Sequence, residues 1–150
     1  MTYFELEPEA AGMFGDATTG DLRARPPLIE KFNYEFDTWP HDPILEAIST
    51  FIVTDRLKEA LIEAHASGVA FGDVEITRSG IFLDMNGDRP LPAFSRLKIT
   101  GRAGTDDFGL SSSGYLIVSE RMMNLQGVWI KVLRCIRVRF ESRRMSIVGS

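Results

Sequence analysis

Two stretches of this chain repeat one pattern at an offset of 65 residues: Phe51-Ile52-Val53-Thr54-Asp55-Arg56-Leu57 and Leu116-Ile117-Val118-Ser119-Glu120-Arg121-Met122. Each reads apolar, Ile, Val, hydroxyl, acid, Arg, apolar. The physics of such a phrase is local. A buried strand ends, a hydroxyl side chain caps the first free N–H groups of a helix, and an acid sits where the helix dipole is positive. The pattern predicts a strand-to-helix junction used twice, and so two pseudo-equivalent helices on one sheet system. Two independent junctions that solve the same problem would leave the same trace. Either way the fold class is α+β: a mainly antiparallel, twisted sheet with two helices entered through the repeated junction.

The rest of the chain fills in that frame. Phe4 and Leu6 alternate with Glu5 and Glu7, so residues 2–7 read as an opening strand. Residues 8–27, punctuated by Pro8, Gly12, Gly15 and Gly20 and closed by Pro26-Pro27, read as a surface loop. Phe32, Tyr34 and Phe36 alternate with Asn33, Glu35 and Asp37, a strand with an aromatic inner face. Pro40 and Pro43 place residues 38–43 in a loop. Thr54 caps a helix whose Leu57, Leu61 and Ala64 form one apolar stripe, and Gly68 stops it. Val69–Ile76 and Gly80–Met85 both read as strands, with a turn at Asn86-Gly87. Strands are expected over 96–100, 108–110 and 115–118, and a second helix over Glu120–Leu125 capped by Ser119. Residues 128–141 alternate as one long or two short strands; a continuous helix over 119–137 is the alternative, weakened by Gly127 and the β-branched residues. Residues 142–150 read as a flexible tail, and the 150 residues as a single domain.

Composition narrows the partners. No apolar run approaches the roughly 18 residues of a membrane span, so no membrane partner is expected. A single cysteine, Cys135, excludes an intrachain disulfide framework, and a reducing cytoplasm fits best. The net charge is −4, but it is unevenly spread: residues 1–50 hold 10 acids against 3 bases, residues 51–100 hold 7 against 6, and residues 101–150 hold 4 against 8. An acidic front and a basic end attract each other within one fold or between two chains, which leaves a homodimer open.

The sequence carries few signs of catalytic or metal chemistry. Asp84-Met85-Asn86-Gly87-Asp88 opens like a calcium loop, but positions six and twelve hold Arg89 and Ser95 where glycine and glutamate are needed. His41 and His65 have no zinc-ligand spacing. Cys135 lies between Arg134 and Arg137, which favours its thiolate, but no nucleophile motif surrounds it. No phosphate-cradling glycine motif appears. No enzyme activity and no cofactor are expected. The basic stretch from Lys131 to Arg144, with Trp129 and Phe140, would suit a nucleic-acid backbone, although an acidic chain argues against that partner. Trp39, His41 and Asp42 in the proline loop, with the adjacent acids Asp106 and Asp107, are the candidate protein-binding residues: an aromatic anchor with carboxylates that steer a cationic partner. Trp39 as a core or capping aromatic is the competing reading.

Two longer phrases carry a family resemblance. Trp39-Pro40-His41-Asp42-Pro43-Ile44-Leu45-Glu46 leads to Phe51–Leu61, and Gly104-Thr105-Asp106-Asp107-Phe108-Gly109-Leu110 leads to Leu116–Arg121. Together with Gly68–Ile76 and the Tyr-Phe-x-Leu start, they resemble the bacterial immunity-protein family numbered eleven among polymorphic-toxin systems, once catalogued as a domain of unknown function. The likeness spans roughly residues 39–125; the Arg- and Val-rich end after Gly127 departs from it. The resemblance implies a non-enzymatic, cytoplasmic immunity protein that binds and neutralises a cognate protein toxin.

Overall fold

The computed structural model describes residues 2–125 in full and, beyond them, the backbone of residues 134–141 and 144–149. The alternating start forms β1 (Thr2–Glu7). The stretch expected as a loop over 8–27 contains two short strands, β2 (Gly12–Phe14) and β3 (Thr19–Asp21). They are followed by β4 (Leu28–Lys31) and the aromatic strand β5 (Asn33–Phe36). Beyond the proline loop, β6 (Ile44–Ala47) and β7 (Thr50–Thr54) form a hairpin that runs into α1 (Asp55–Glu63). The run expected as one strand over 69–76 breaks at Asp73-Val74 into β8 (Val69–Gly72) and β9 (Glu75–Arg78), which join different sheets.

The next segment corrects the sequence reading outright. Gly80–Met85, expected as a strand, lies in a helix, α2 (Gly80–Asn86). The chain therefore has a third helix. Then come β10 (Phe94–Ile99), β11 (Phe108–Leu110), β12 (Leu116–Ser119) and α3 (Glu120–Met123). Last are β13 (Arg134–Glu141) and β14 (Arg144–Gly149). The tail expected over 142–150 thus contains a strand paired with β13. The continuous helix over 119–137 is not formed, since α3 ends at Met123. The strand expected over 128–133, with Trp129 and Lys131, lies outside the described residues.

The strands make a five-stranded sheet ordered β11-β12-β1-β13-β14, a four-stranded sheet β6-β7-β10-β8, a three-stranded sheet β2-β5-β9 and the pair β3-β4. Among the described strands, β5 with β9 is the parallel pairing and the others are antiparallel. The fold class is α+β, as the repeat predicts, but the two junctions leave different sheets, β7 belonging to the four-stranded and β12 to the five-stranded one. The register of β1 against β13 sets Glu7 opposite Arg134, so the acidic front and the basic end meet as neighbouring strands. Among the described residues no helix is long and apolar enough to cross a membrane.

Strand periodicity sorts the cores. Phe51 and Val53 of β7 face one side of the four-stranded sheet, where they meet Leu116 and Val118 of β12, Leu57 and Leu61 of α1 and Met122 of α3. Ile52, between them, faces the other side and packs with Tyr34, Phe36 and Phe82. Asn33, buried in that second layer, holds the parallel pair together: its Nδ2 donates to the Glu75 carbonyl at 3.1 Å and to Thr77 Oγ1 at 3.1 Å. A Cβ at Gly15 would overlap the Asn33 side chain, so glycine is required there.

The repeat is visible as a unit larger than the junction. β6–β7–α1 and β11–β12–α3 are each a hairpin running into a capped helix. In one, Ile44 pairs with Val53 and Thr54 N–H donates to the Pro43 carbonyl; in the other, Phe108 pairs with Val118 and Ser119 N–H donates to the Asp107 carbonyl. Both caps have the same backbone, φ −63° and ψ 152° at Thr54, φ −66° and ψ 154° at Ser119. Each hydroxyl accepts from the N–H three residues on, Leu57 at 3.2 Å and Met122 at 3.3 Å. The two hairpin tips touch, Ser49 Oγ donating to the Gly114 carbonyl at 2.8 Å.

The first tip is strained. Ile48 and Ser49 have φ of 41° and 56°, left-handed values that a β-branched residue adopts at a cost of roughly 1–2 kcal/mol. Asparagine is favoured at such a hairpin position. Ile48 is 38% exposed, so its apolar burial offsets only part of that strain. Ile48→Asn is expected to raise stability by about 1 kcal/mol in urea unfolding. A loss of stability would mean that Ile48 packs more usefully than its exposure indicates.

Candidate partner-binding surface

Among the described residues, α2 presents an apolar surface to solvent. Ser79 caps it in extended conformation, its Oγ accepting the Phe82 N–H at 3.2 Å. Gly87, at φ 59°, ends it, donating its N–H to the Leu83 carbonyl at 2.8 Å. Only Phe82 is fully buried. The remaining apolar side chains point outward: Ile81 is 64% exposed, Leu83 47% and Met85 78%. A surface helix normally turns its apolar residues toward the core. Here one residue anchors the helix, and three large apolar residues face solvent, with Ile81 and Met85 one turn apart on the same face.

The anchor is shared with Trp39. The Trp39 ring stacks on Phe82 with centroids 6.1 Å apart and planes 24° apart, and Phe82 also meets Phe36 at 6.2 Å. The Arg89 guanidinium lies over the Trp39 ring, 3.7 Å from its centroid. Arg78 lies 5.8 Å from the Phe82 centroid and donates to the Arg89 carbonyl at 3.4 Å. Trp39 is thus partly buried in the second core layer and at the same time joined to the exposed helix.

His41 and Asp42 share its loop. Glu9, which no sequence signal marks, pins them: its Oε1 accepts the His41 N–H at 2.7 Å and the Asp42 N–H at 3.0 Å, and its Oε2 lies 3.2 Å from His41 Nδ1. His41 is exposed, whereas Asp42 is only 6% exposed and presents little to a partner. Below them a cleft of about 330 Å³ is lined by Pro40, Pro43, Arg56, Leu57 and Phe94.

Asp106 and Asp107 lie elsewhere, in the turn before β11. Asp106 Oδ2 accepts the Arg102 N–H at 2.8 Å. Asp107 is a junction of four groups. Its Oδ1 accepts from Ser119 Oγ at 2.7 Å, and its Oδ2 accepts from the Ser67 N–H at 2.9 Å and from the Arg121 guanidinium at 2.7 Å. Its own N–H donates to Ser67 Oγ at 2.9 Å. Arg121 continues to the end of α1, donating to the Ala64 carbonyl at 2.8 Å. Burial works against the Asp107 charge, but the hydrogen bonds from Arg121, Ser67 and Ser119 outweigh it and hold the carboxyl below its ordinary value. This carboxylate is engaged within the fold, tying the first helix to the second junction.

The structure therefore places Trp39, His41 and Asp42 on one loop and Asp106 and Asp107 on another. Asp107 lines a second cleft, of about 610 Å³, that shares no residue with the first. The repeat puts Thr54, Asp55 and Arg56 at one cleft and Ser119, Glu120 and Arg121 at the other. Sequence reasoning passed over Ile81, Leu83 and Met85, because the segment reads as a strand; the Ser79 cap, three residues before Phe82, was the available signal. Among the described residues no group of three or more His, Cys, Asp or Glu side chains converges to hold a metal. The side chain of Cys135 lies outside the described residues. No protein-family model, curated protein or solved structure matches the chain.

Proposed function

We propose that this chain is a non-enzymatic inhibitor of the immunity-protein type, which binds a cognate protein toxin through α2 and the adjoining Trp39. The exposed apolar face of α2 carries this reading, since contiguous apolar surface ringed by polar residues marks protein contact. Trp39, braced between Phe82 and Arg89, supplies the rigid aromatic that interface centres favour. Exposed Asp84 and Asp88 border the face, and residues 1–125 hold 20 acids against 11 bases. Such a surface suits a partner with an apolar pocket and a basic rim, as expected of a toxin that acts on nucleic acid. The resemblance of the two junction phrases supports the same reading.

The test begins with capture of partners from the native host's lysate and their identification by mass spectrometry. The captured protein is then expressed alone and together with this chain. Growth arrest relieved by co-expression supports the reading; a captured protein harmless on its own sinks it. The double variant Ile81→Glu, Met85→Glu should bind that partner at least about 30-fold more weakly while keeping the parent melting temperature, because both side chains already face solvent. Titration calorimetry and a thermal melt of the same samples check both halves.

A further inference from the structure

A second site lies away from α2, where the chain steps from β8, the edge of the four-stranded sheet, to β9, the edge of the three-stranded one. The two edges leave a groove of about 630 Å³ between them. Arg96 and Lys98 of β10 line one side, and Phe32 and Glu75 line the other. Leu97 points into the first core, so strand alternation turns Arg96 to the groove.

Arg96 is the anomaly. Its guanidinium lies 5.8 Å from the centroid of Phe32, and its Nε is sealed from solvent with no hydrogen-bond acceptor. Among the described residues no carboxylate pairs with it. Arg96 lies between Ile52 on β7 and Gly72 on β8, and on the β8 side no side chain covers it. Of the acids nearby, Glu75 stands 4.0 Å from Lys31 Nζ, and Glu30 and Asp73 are exposed on the rim. A partly buried cation without a counter-charge is unfavourable, and buried charges in folded proteins are normally paired. Burial already pulls the Arg96 pKa down from its ordinary value. An incoming anion that meets the other two guanidinium nitrogens, which are not sealed in this way, would supply the opposite charge.

The rim decides which anion. Three acids beside Arg96, Lys98 and Lys31 repel a polyanion such as a nucleic-acid backbone, and they attract cations placed on either side of a single negative group. We propose that this groove binds a carboxylate anchored on Arg96 and presented by a peptide segment in which basic residues flank an acidic one. The site stands independently of the α2 face.

The test follows the arginine Nε–H signals of the isotope-labelled protein by nuclear magnetic resonance during titration with acetyl-Lys-Glu-Lys-amide. The expected result is a saturable shift of the Arg96 signal, with affinity about tenfold weaker for acetyl-Lys-Gln-Lys-amide, and backbone-amide shifts at Gly72 and Lys98 that saturate in the parent and not in Arg96→Met. Equal affinity for the two peptides, or no titration at all, overturns the proposal. Tighter binding of inorganic phosphate than of the glutamate peptide overturns it as well. The comparison of peptides on the parent protein decides the matter even if Arg96→Met fails to fold.

Discussion

Replacing Phe82 with alanine is expected to lower the free energy of unfolding by about 3–5 kcal/mol, whereas alanine at Ile81 or Met85 should change it by no more than about 0.5 kcal/mol. All three residues lie in the same seven-residue helix, and only burial separates them. Phe82 is fully enclosed by Phe36, Trp39 and the rest of the second core layer, so its removal leaves a cavity that the rigid strands around it cannot close. Ile81 and Met85 surrender no buried contact of that kind. A helix this short has little stability of its own. Without the anchor, α2 should lose its hydrogen-exchange protection, starting with the Leu83 and Gly87 amides, which are bonded to Ser79 and Leu83 carbonyls. Denaturant unfolding of the three variants measures the energies, and exchange on Phe82→Ala tests the local consequence. A cost at Met85 comparable with that at Phe82 would mean that the outward face of α2 is covered, and the proposed binding surface would lose its basis.

The same helix shows where sequence reasoning stops. The junctions at Thr54 and Ser119 are legible because a cap is a local device: a hydroxyl, an acid and a helix-forming turn lie within four residues. The α1 stripe is legible because Leu57 and Leu61 recur at helical spacing. In α2 just one residue is buried, so no stripe exists, and Ile81-Phe82-Leu83 reads as a strand instead. β2 and β3 are three residues each and contain glycines, too short to show alternation. Their pairing is set by partners at a distance, β5 for one and β4 for the other. The parallel contact of β5 with β9 joins segments about 42 residues apart and rests on the buried Asn33, which reads locally as a polar residue on the outer face of a strand. The acids at 106 and 107 look alike in sequence. Only the fold separates Asp106, which closes its own turn, from Asp107, which bridges three segments.

That bridge gives the second large effect. Asp107→Asn is expected to destabilise the protein by about 2–3 kcal/mol at neutral pH. The side chain keeps its shape, but an amide accepts at one position only, and its NH₂ faces a donor that the carboxylate had satisfied. Most of the loss comes from the Ser67 N–H and the Ser119 hydroxyl, since Arg121 is more than half exposed and an ion pair to it is well screened. The pH dependence identifies the cause. The folded carboxyl of Asp107 titrates below its unfolded value of about 3.8, so its contribution is fully present above that value and is lost as the pH falls through the folded one. The gap between parent and variant should therefore be constant from neutral pH down to about 5 and close below about 4, because protonated Asp107 resembles asparagine. Glu46 acts in the opposite sense. Burial raises its carboxyl, the Ser49 N–H partly opposes this, and Glu7 adds to it, so its charge weakens the fold above the raised value. It is the same in both proteins and drops out of the difference. Urea unfolding of both chains across about pH 2.5–7 makes the measurement. A gap that persists unchanged at the acid end would show that the asparagine variant is destabilised by its fit alone and that the charge on Asp107 contributes nothing.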